Sequence, residues 1–157
     1  MRPERRIKCL VIVAHPDDET IWMGGYILKN REFDFEIISL CRKHDSDRAP
    51  KFFRVCRELG AVCSMSDLDD EEFYELSSEE VILRINELKK QANYDIVFTH
   101  GSNGEYGHKR HIDVHEAVNE MLKNGDLKCD KIFYFSYKGK NEPGKFCIID
   151  DNANKFI

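Results

Sequence analysis

IKCLVIVA at Ile7–Ala14, followed without a break by HPDDE at His15–Glu19, is the stretch on which the reading of this chain turns. Seven of these eight residues are apolar, unbroken from Cys9 to Ala14 and rich in β-branched side chains, which suits a strand buried on both faces of a parallel sheet. Pro16 ends it, because a residue before proline is held extended. A proline at the first turn then favours a helix over about Asp17–Asn30, with Ile21, Met23, Ile27 and Leu28 as its inner residues. The pair Gly24-Gly25 weakens that helix and is expected to mark close approach to a neighbour.

The same alternation continues downstream. FEIISLC at Phe35–Cys41 is a second strand, and Pro50 opens a helix that Gly60 stops after Leu59. Ala61–Met65 is a short third strand. Ser77 or Ser78 caps a helix over Glu79–Ala92, with Val81, Ile82, Ile85 and Leu88 as its apolar stripe. YDIVFT at Tyr94–Thr99 is a fourth strand, followed by a loop containing Gly101, Gly104 and Gly107 and by a helix over His111–Lys123. KIFYFSY at Lys131–Tyr137 is a fifth strand, and Lys145–Ile149 is a candidate sixth. Strands alternating with helices define an α/β chain: a Rossmann-like, doubly wound, mostly parallel sheet of about five or six strands with helices on both faces.

Composition narrows the rest. The chain has 157 residues, the size of one domain, and carries a formal net charge of -5 from 24 Lys+Arg against 29 Asp+Glu. That acidic balance argues against a duplex nucleic-acid partner. No run approaches the roughly 18 apolar residues of a membrane span, and the N-terminal charges lead into too short an apolar run for a signal peptide. Six cysteines, at 9, 41, 56, 63, 129 and 147, form no CxxC pair and fall mostly in apolar stretches. They read as reduced, buried small hydrophobes, which implies a cytoplasmic chain.

In doubly wound sheets ligands bind beyond the carboxyl ends of the strands, where strand order reverses. Two polar clusters fall at such ends: His15 to Glu19 after strand one, and His100 to His115 after strand four. Acids in a helix's first turn are favoured by the dipole, which accounts for Asp17 or Glu19 without any metal. The dipole does not account for a histidine at the strand terminus beside two aspartates. An imidazole and a carboxylate from the first loop, with an imidazole from the second, make a three-ligand set of the kind catalytic zinc uses. A neighbouring carboxylate can then serve as general base.

AHPDDE at Ala14–Glu19 together with GEYGHKRH at Gly104–His111 resembles the LmbE-like / PIG-L superfamily of zinc-dependent N-deacetylases, over most of the chain. The resemblance implies one deacetylase domain over 1–157. Its function would be hydrolysis of the N-acetyl group of an N-acetylglucosamine-type conjugate. Position by position, it implies His15, Asp18 and His111 as ligands of one divalent metal. That metal is expected to be Zn2+, although a His2Asp set also accepts iron or another divalent ion. It implies Asp17 as general base and a protonated His108 steadying the oxyanion. Arg48, at the start of a helix resembling the family's RxxExxxAxxxLG pattern, becomes a substrate contact, with a surface arginine as the plainer reading. Asn103 and Glu105 in the glycine loop are further substrate contacts. Ser66–Asp70 resembles a loop that touches sugar hydroxyls, without showing which aspartate matches. Where the family often has Pro-Asp between its histidines, Lys109-Arg110 stands here, either changing hydrogen bonding behind the site or adding charge at its rim.

Trp22 is expected in the core, with the pocket wall as its alternative, His115 in a layer behind the site or on the surface, and His100 either behind the site or simply packed. Glu19 is expected to steady its loop. Relatives carry a further segment after the strand matching Phe146–Ile149, so the chain reads as a compact member or a truncated one. The partner implied is a small amino-sugar substrate, and a homo-oligomer is left open. Two other readings stay in view: an amidase cleaving thiol-conjugate amides at the same metal site, and a non-catalytic sugar-binding relative. A nucleotide-binding domain is disfavoured, because acids rather than glycines follow strand one.

Overall fold

The computed structural model describes residues 5–72 and 74–137. The expected sixth strand at 145–149, Cys147 and the question of a further C-terminal segment all lie outside the described residues.

Five strands, β1 (Lys8–Val13), β2 (Asp34–Cys41), β3 (Val62–Leu68), β4 (Asn93–Thr99) and β5 (Lys128–Tyr134), form one all-parallel sheet in the order β3-β2-β1-β4-β5. The helices between them are α1 (Asp18–Lys29), α2 (Arg48–Leu59), α3 (Ser78–Leu88), the single turn α4 (Gly104–Gly107) and α5 (Lys109–Asn124). The period of two along β1 builds two cores at once. Leu10 and Ile12 face α3 and α5, packing with Ile85, Val114, Val118 and Met121. Cys9, Val11 and Val13 face α1 and α2, packing with Met23, Ile27, Phe52 and Cys56. The fold is therefore the doubly wound one that the continuous apolar run implies. The five described cysteines are free.

Boundaries moved where capping chemistry overrode proline and apolar signals. α2 begins at Arg48, two residues before Pro50, because Asp45 Oδ1 accepts the N–H groups of Asp47 and Arg48 at 2.9 and 2.8 Å. α3 begins as expected, with Ser77 Oγ accepting Glu80 N–H. It ends early, at Leu88 rather than Ala92. β5 starts at Lys128 and not Lys131, because Lys128 and Cys129 pair with Asn93 and Tyr94 of β4.

α1 departs most from its expected packing. Met23 and Ile27 are buried, but Ile21 and Leu28 are 56% and 48% exposed. Nor does the Gly24-Gly25 pair mark a close approach: a Cβ at Gly25 would meet nothing within 4 Å. Gly25→Ala should consequently stabilise the fold by roughly 0.5–1 kcal/mol, the helix-propensity difference, read as a higher denaturant midpoint.

Strand order reverses between β1 and β4, and the two strands separate there. Their backbone register runs only through Cys9↔Ile96, Leu10↔Val97 and Val11↔Phe98, whereas β1 and β2 pair over six positions. Beyond that point side chains replace the ladder. Thr99 Oγ1 donates to Ile12 O at 3.0 Å, and Ala14 N–H donates to His100 Nε2 at 3.0 Å. The crevice that opens is where His15, at the end of β1, meets His100, at the end of β4.

Candidate metal centre and active-site cavity

His15 and Asp18 are brought together by the tight turn after β1, in which Asp17 and Asp18 N–H groups both reach back to His15 O. His111 enters from the first turn of α5. Three donor atoms converge: His15 Nδ1, Asp18 Oδ2 and His111 Nε2, separated by 3.2, 3.1 and 3.4 Å. Ligands about 2.0–2.1 Å from a tetrahedral ion lie about 3.3 Å apart, so this triangle has the spacing of one tetrahedral face. All three residues are nearly or fully buried.

The opposite ring nitrogens fix the tautomers. His15 Nε2–H donates to Asp70 Oδ1 at 2.9 Å, and His111 Nδ1–H donates to Glu105 Oε2 at 2.6 Å. Both lone pairs then point at Asp18 Oδ2 and at each other. Two lone pairs and a carboxylate oxygen at these distances repel unless a cation lies among them, so the donor set fits a divalent metal. Without one a proton must serve. Burial works against charge on His111, yet hydrogen bonds to Asp18 and Glu105 outweigh it and push its pKa up to about 9. Burial likewise opposes charge on Asp18, and hydrogen bonds from His111 and His15 hold its carboxyl far below the usual range. Each imidazole backed by a carboxylate is the usual setting of a metal-bound histidine.

Other close-set donors exist among the described residues, in the groups His15–His108–His111, His15–Cys41–Asp70 and Asp18–His100–His111. His100 is already committed. Its Nε2 accepts Ala14 N–H, and its Nδ1–H donates to Glu105 Oε2 at 2.8 Å. It stacks on His111 with ring centroids 3.9 Å apart. His115, behind it, meets His100 O at 2.9 Å through Nδ1, in the layer expected for it.

A cavity of about 420 Å³ opens in front of the triangle, lined among others by His15, Asp17, Asp18, Arg48, Tyr106 and His108. That volume suits a small molecule. Asp17 Oδ2 is paired with Arg48 Nη2 at 2.6 Å, so the expected base and the expected substrate contact form one unit at the rim. Trp22 lines the cavity too, with Nε1–H donating to Asp18 Oδ1 at 3.3 Å, where core packing was expected. Ile21 is exposed for the same reason: it faces this opening.

His108 is the N-cap of α5, its Nδ1 accepting Arg110 N–H at 3.2 Å. That bond leaves the ring proton on Nε2. Burial, with the neighbouring His15 and His111, lowers its pKa and so favours the neutral ring.

Glu105 and Asn103 do not line the cavity. Glu105 is buried behind the histidines. Its Oε1 accepts Gly101 N–H at 2.8 Å, and its Oε2 accepts from His100 and His111. Burial opposes its charge, but those hydrogen bonds hold its pKa down at about 2. Asn103 caps α4 by accepting Glu105 N–H at 3.1 Å, and its Nδ2 donates to Tyr137 O at 3.0 Å. Both side chains build the loop and are not turned toward a substrate. Two glycines make that loop possible. A Cβ at Gly101 would lie 2.5 Å from Phe135 O, and Gly104 combines φ +57° with a Cβ position 2.8 Å from Ile112.

Arg42 was not singled out from sequence, Asp70 only as one of three aspartates in 66–70, and Arg110 only with Lys109 as a change behind the site or at its rim. Among the aspartates of 67–70, Asp70 is the buried one and braces His15. Arg110 is fully buried, not at the rim. It binds Asp69 and Asp113 at 2.9 and 2.7 Å and donates to Asp69 O and Tyr74 O. Glu19 is buried against Thr20 Oγ1 at 2.7 Å, and burial raises its pKa to about 7.

A sheet that reverses at β1/β4, with a buried His2Asp triangle at the reversal and an acid beside it, defines an α/β protein whose donor set could hold a metal ion. Residues 10–122 match the family model PIG-L, described as GlcNAc-PI de-N-acetylase, and the chain belongs to that family. It is 25% identical to a 1D-myo-inositol 2-acetamido-2-deoxy-alpha-D-glucopyranoside deacetylase of Corynebacterium diphtheriae, across 81% of this chain and 56% of the relative. It is 28% identical to the uncharacterized protein L374 of Acanthamoeba polyphaga mimivirus, across 82% of this chain and 61% of that one. Among solved structures, GalB, the 4-carboxy-2-hydroxymuconate hydratase of Pseudomonas putida KT2440, superposes with a TM-score of 0.64 at 15% identity. It covers 83% of this chain and 65% of GalB, a likeness of fold alone. The chain thus spans little more than half the length of the curated relatives it matches. No helix among the described residues is long and apolar enough to cross a membrane.

Proposed function

We propose that this chain is a metal-dependent hydrolase that removes the N-acetyl group from an N-acetylglucosamine-type conjugate. The carrying observation is the donor triangle of His15 Nδ1, Asp18 Oδ2 and His111 Nε2, with Asp17 and His108 beside it on one cavity wall. Family membership and the Corynebacterium relative's printed activity support the substrate class. Zinc is the expected ion, held by His15, Asp18 and His111. When bound it supplies Lewis acidity to water and to the acyl carbonyl.

The chain's own residues carry the rest. Asp17 takes a proton from the attacking water as the C–O bond forms, with Arg48 holding its carboxylate in place. His108 Nε2–H donates to the developing oxyanion, an interaction of the kind worth about 2.7–4 kcal/mol in the transition state. Asp17 then returns the proton to the leaving nitrogen as the C–N bond breaks, giving free amine and acetate. Trp22 and Ile21 offer apolar surface to the rest of the substrate. One domain over 1–157, working in the cytoplasm on a small molecule, goes with this reading.

Elemental analysis of the purified protein, joined to an acetate-release screen over N-acetylated amino sugars, tests it. About one zinc ion per chain and acetate release from at least one N-acetylglucosamine conjugate are expected. Asp18→Asn, isosteric but neutral, should drop the metal content to near zero. A protein with neither metal nor acetate release overturns the proposal.

A further inference from the structure

Among the described residues only two that are not glycine have a positive φ: Glu105 at 60° and Arg42 at 69°. Residues with a Cβ avoid this region, and they persist there only when the surroundings impose it, often at functional sites. At Glu105 that backbone carries the carboxylate behind His111. The hydrolytic steps above use no property of Arg42.

Arg42 sits just past the end of β2, locked between two backbone bonds. Cys41 N–H donates to Ala14 O at 2.9 Å, and Lys43 N–H donates to Ser66 O at 3.1 Å. The left-handed turn between them sends the guanidinium toward the loop after β3. There Nε and Nη2 both hold Asp70 Oδ2, at 2.9 and 2.8 Å, while Nη1 holds Glu71 Oε1 at 2.8 Å. With Oδ2 engaged in this way, Oδ1 is left for His15 Nε2–H at 2.9 Å. His15 and Asp70 are both buried, whereas Arg42 reaches the cavity wall.

We propose that Arg42 is a positioning residue for His15, acting through Asp70, the counterpart of what Glu105 does for His111. Each histidine of the donor triangle is then oriented by a carboxylate, and each orienting chain contains one residue in the left-handed region. Arg42 also keeps Asp70 turned away from the triangle, which matters because His15, Cys41 and Asp70 donor atoms lie within 4.8 Å of one another. The inference rests on the reading of His15 as a metal ligand.

The sign of the effect separates positioning from simple charge. Arg42 is a cation near a cation site, so deleting it should tighten metal binding if only Coulomb repulsion acts. A positioning role predicts the opposite. Arg42→Gly is the informative variant, because glycine accepts φ 69° and the fold is not penalised for the backbone. Zinc affinity measured by competition with a chromophoric chelator should fall about 10–100-fold, the usual range for residues that orient a ligand. Asp70→Asn should fall by a similar factor, and the double variant should be no weaker than Asp70→Asn alone, because both act through one chain. Long-range 1H–15N spectra of the metal-free protein, taken where the His15 ring is neutral, should show the Nε2–H tautomer in the wild type and a mixture in Arg42→Gly.

Unchanged or tighter zinc binding in Arg42→Gly overturns the proposal, as do independent, additive losses in the double variant. An unaltered tautomer does the same, whatever happens to zinc. If the wild type binds no zinc but Arg42→Gly still scrambles the tautomer, positioning of His15 stands and the metal reading falls.

Discussion

Asp17→Asn should lower the turnover of acetate release by about 10²–10⁴-fold, the usual contribution of a positioned general base, while zinc content stays at the wild-type level. The structure makes this a clean substitution. Asp17 is the N-cap residue of α1, but its side chain makes no capping hydrogen bond, so no cap is lost. Its side chain is 46% exposed, and an asparagine oxygen can still accept from Arg48 Nη2. The plainer account, an acid favoured by the helix dipole, predicts a small loss of stability, about 0.3–1 kcal/mol, with turnover intact. Steady-state kinetics beside a denaturation curve decides between them. Wild-type turnover in Asp17→Asn would end the assignment of Asp17 as base.

Arg110→Met is the substitution expected to harm the fold most. The Arg110 side chain is wholly buried, with Asp69 and Asp113 only 23% and 12% exposed beside it. Removing the guanidinium takes its cation from two largely buried carboxylates and a donor from two backbone carbonyls, although Asp69 keeps three backbone N–H donors and Asp113 keeps Lys109 at 3.7 Å. Breaking a buried ion pair from one side costs about 3–5 kcal/mol, which for a chain of this size lowers Tm by on the order of 10 °C. Asp69→Asn added to Arg110→Met should recover part of the loss, because it removes one stranded charge. Thermal melts of the two variants and the wild type check both points. An unchanged Tm in Arg110→Met would show that the cluster contributes specificity of packing rather than stability.

The parts of this molecule that were legible in sequence are those written in neighbouring residues. The β1 run and its HPDDE continuation put strand, turn, two candidate metal ligands and the proposed base within a dozen positions, and His108 and His111 follow one loop in the same way. What was not legible depends on residues far apart in the chain. Nothing in the run 67–70 distinguishes Asp70 from its neighbours until β3 is laid beside β2 and His15 faces it. Glu105 reads as a loop acid open to substrate, and only the backbone at φ 60° turns it inward. Arg110 stands where the family often has aspartate, and a long cation reads by default as surface. Its burial depends on Asp69, supplied from 41 positions upstream, together with Asp113 one turn further along α5. The role of His108 as the cap of its own helix, with Nδ1 accepting Arg110 N–H, was equally invisible in the local sequence. In α1, periodicity counted Ile21 as core, because a helix pattern does not reveal that its flank borders an open cavity.

The divergence of β1 and β4 has a consequence for how mutation reaches this fold. Most of the sheet is held by backbone bonds, which any residue but proline can make. At the seam those rungs give way to Thr99 Oγ1 on Ile12 O and to Ala14 N–H on His100 Nε2. The joint between the two halves of the sheet is therefore spelled in side chains at the place where the ligands must line up. Point substitutions elsewhere in a strand leave its pairing intact, but a change at Thr99 or His100 edits the seam itself. The proposed metal centre thus inherits a sequence sensitivity that the rest of the sheet does not have.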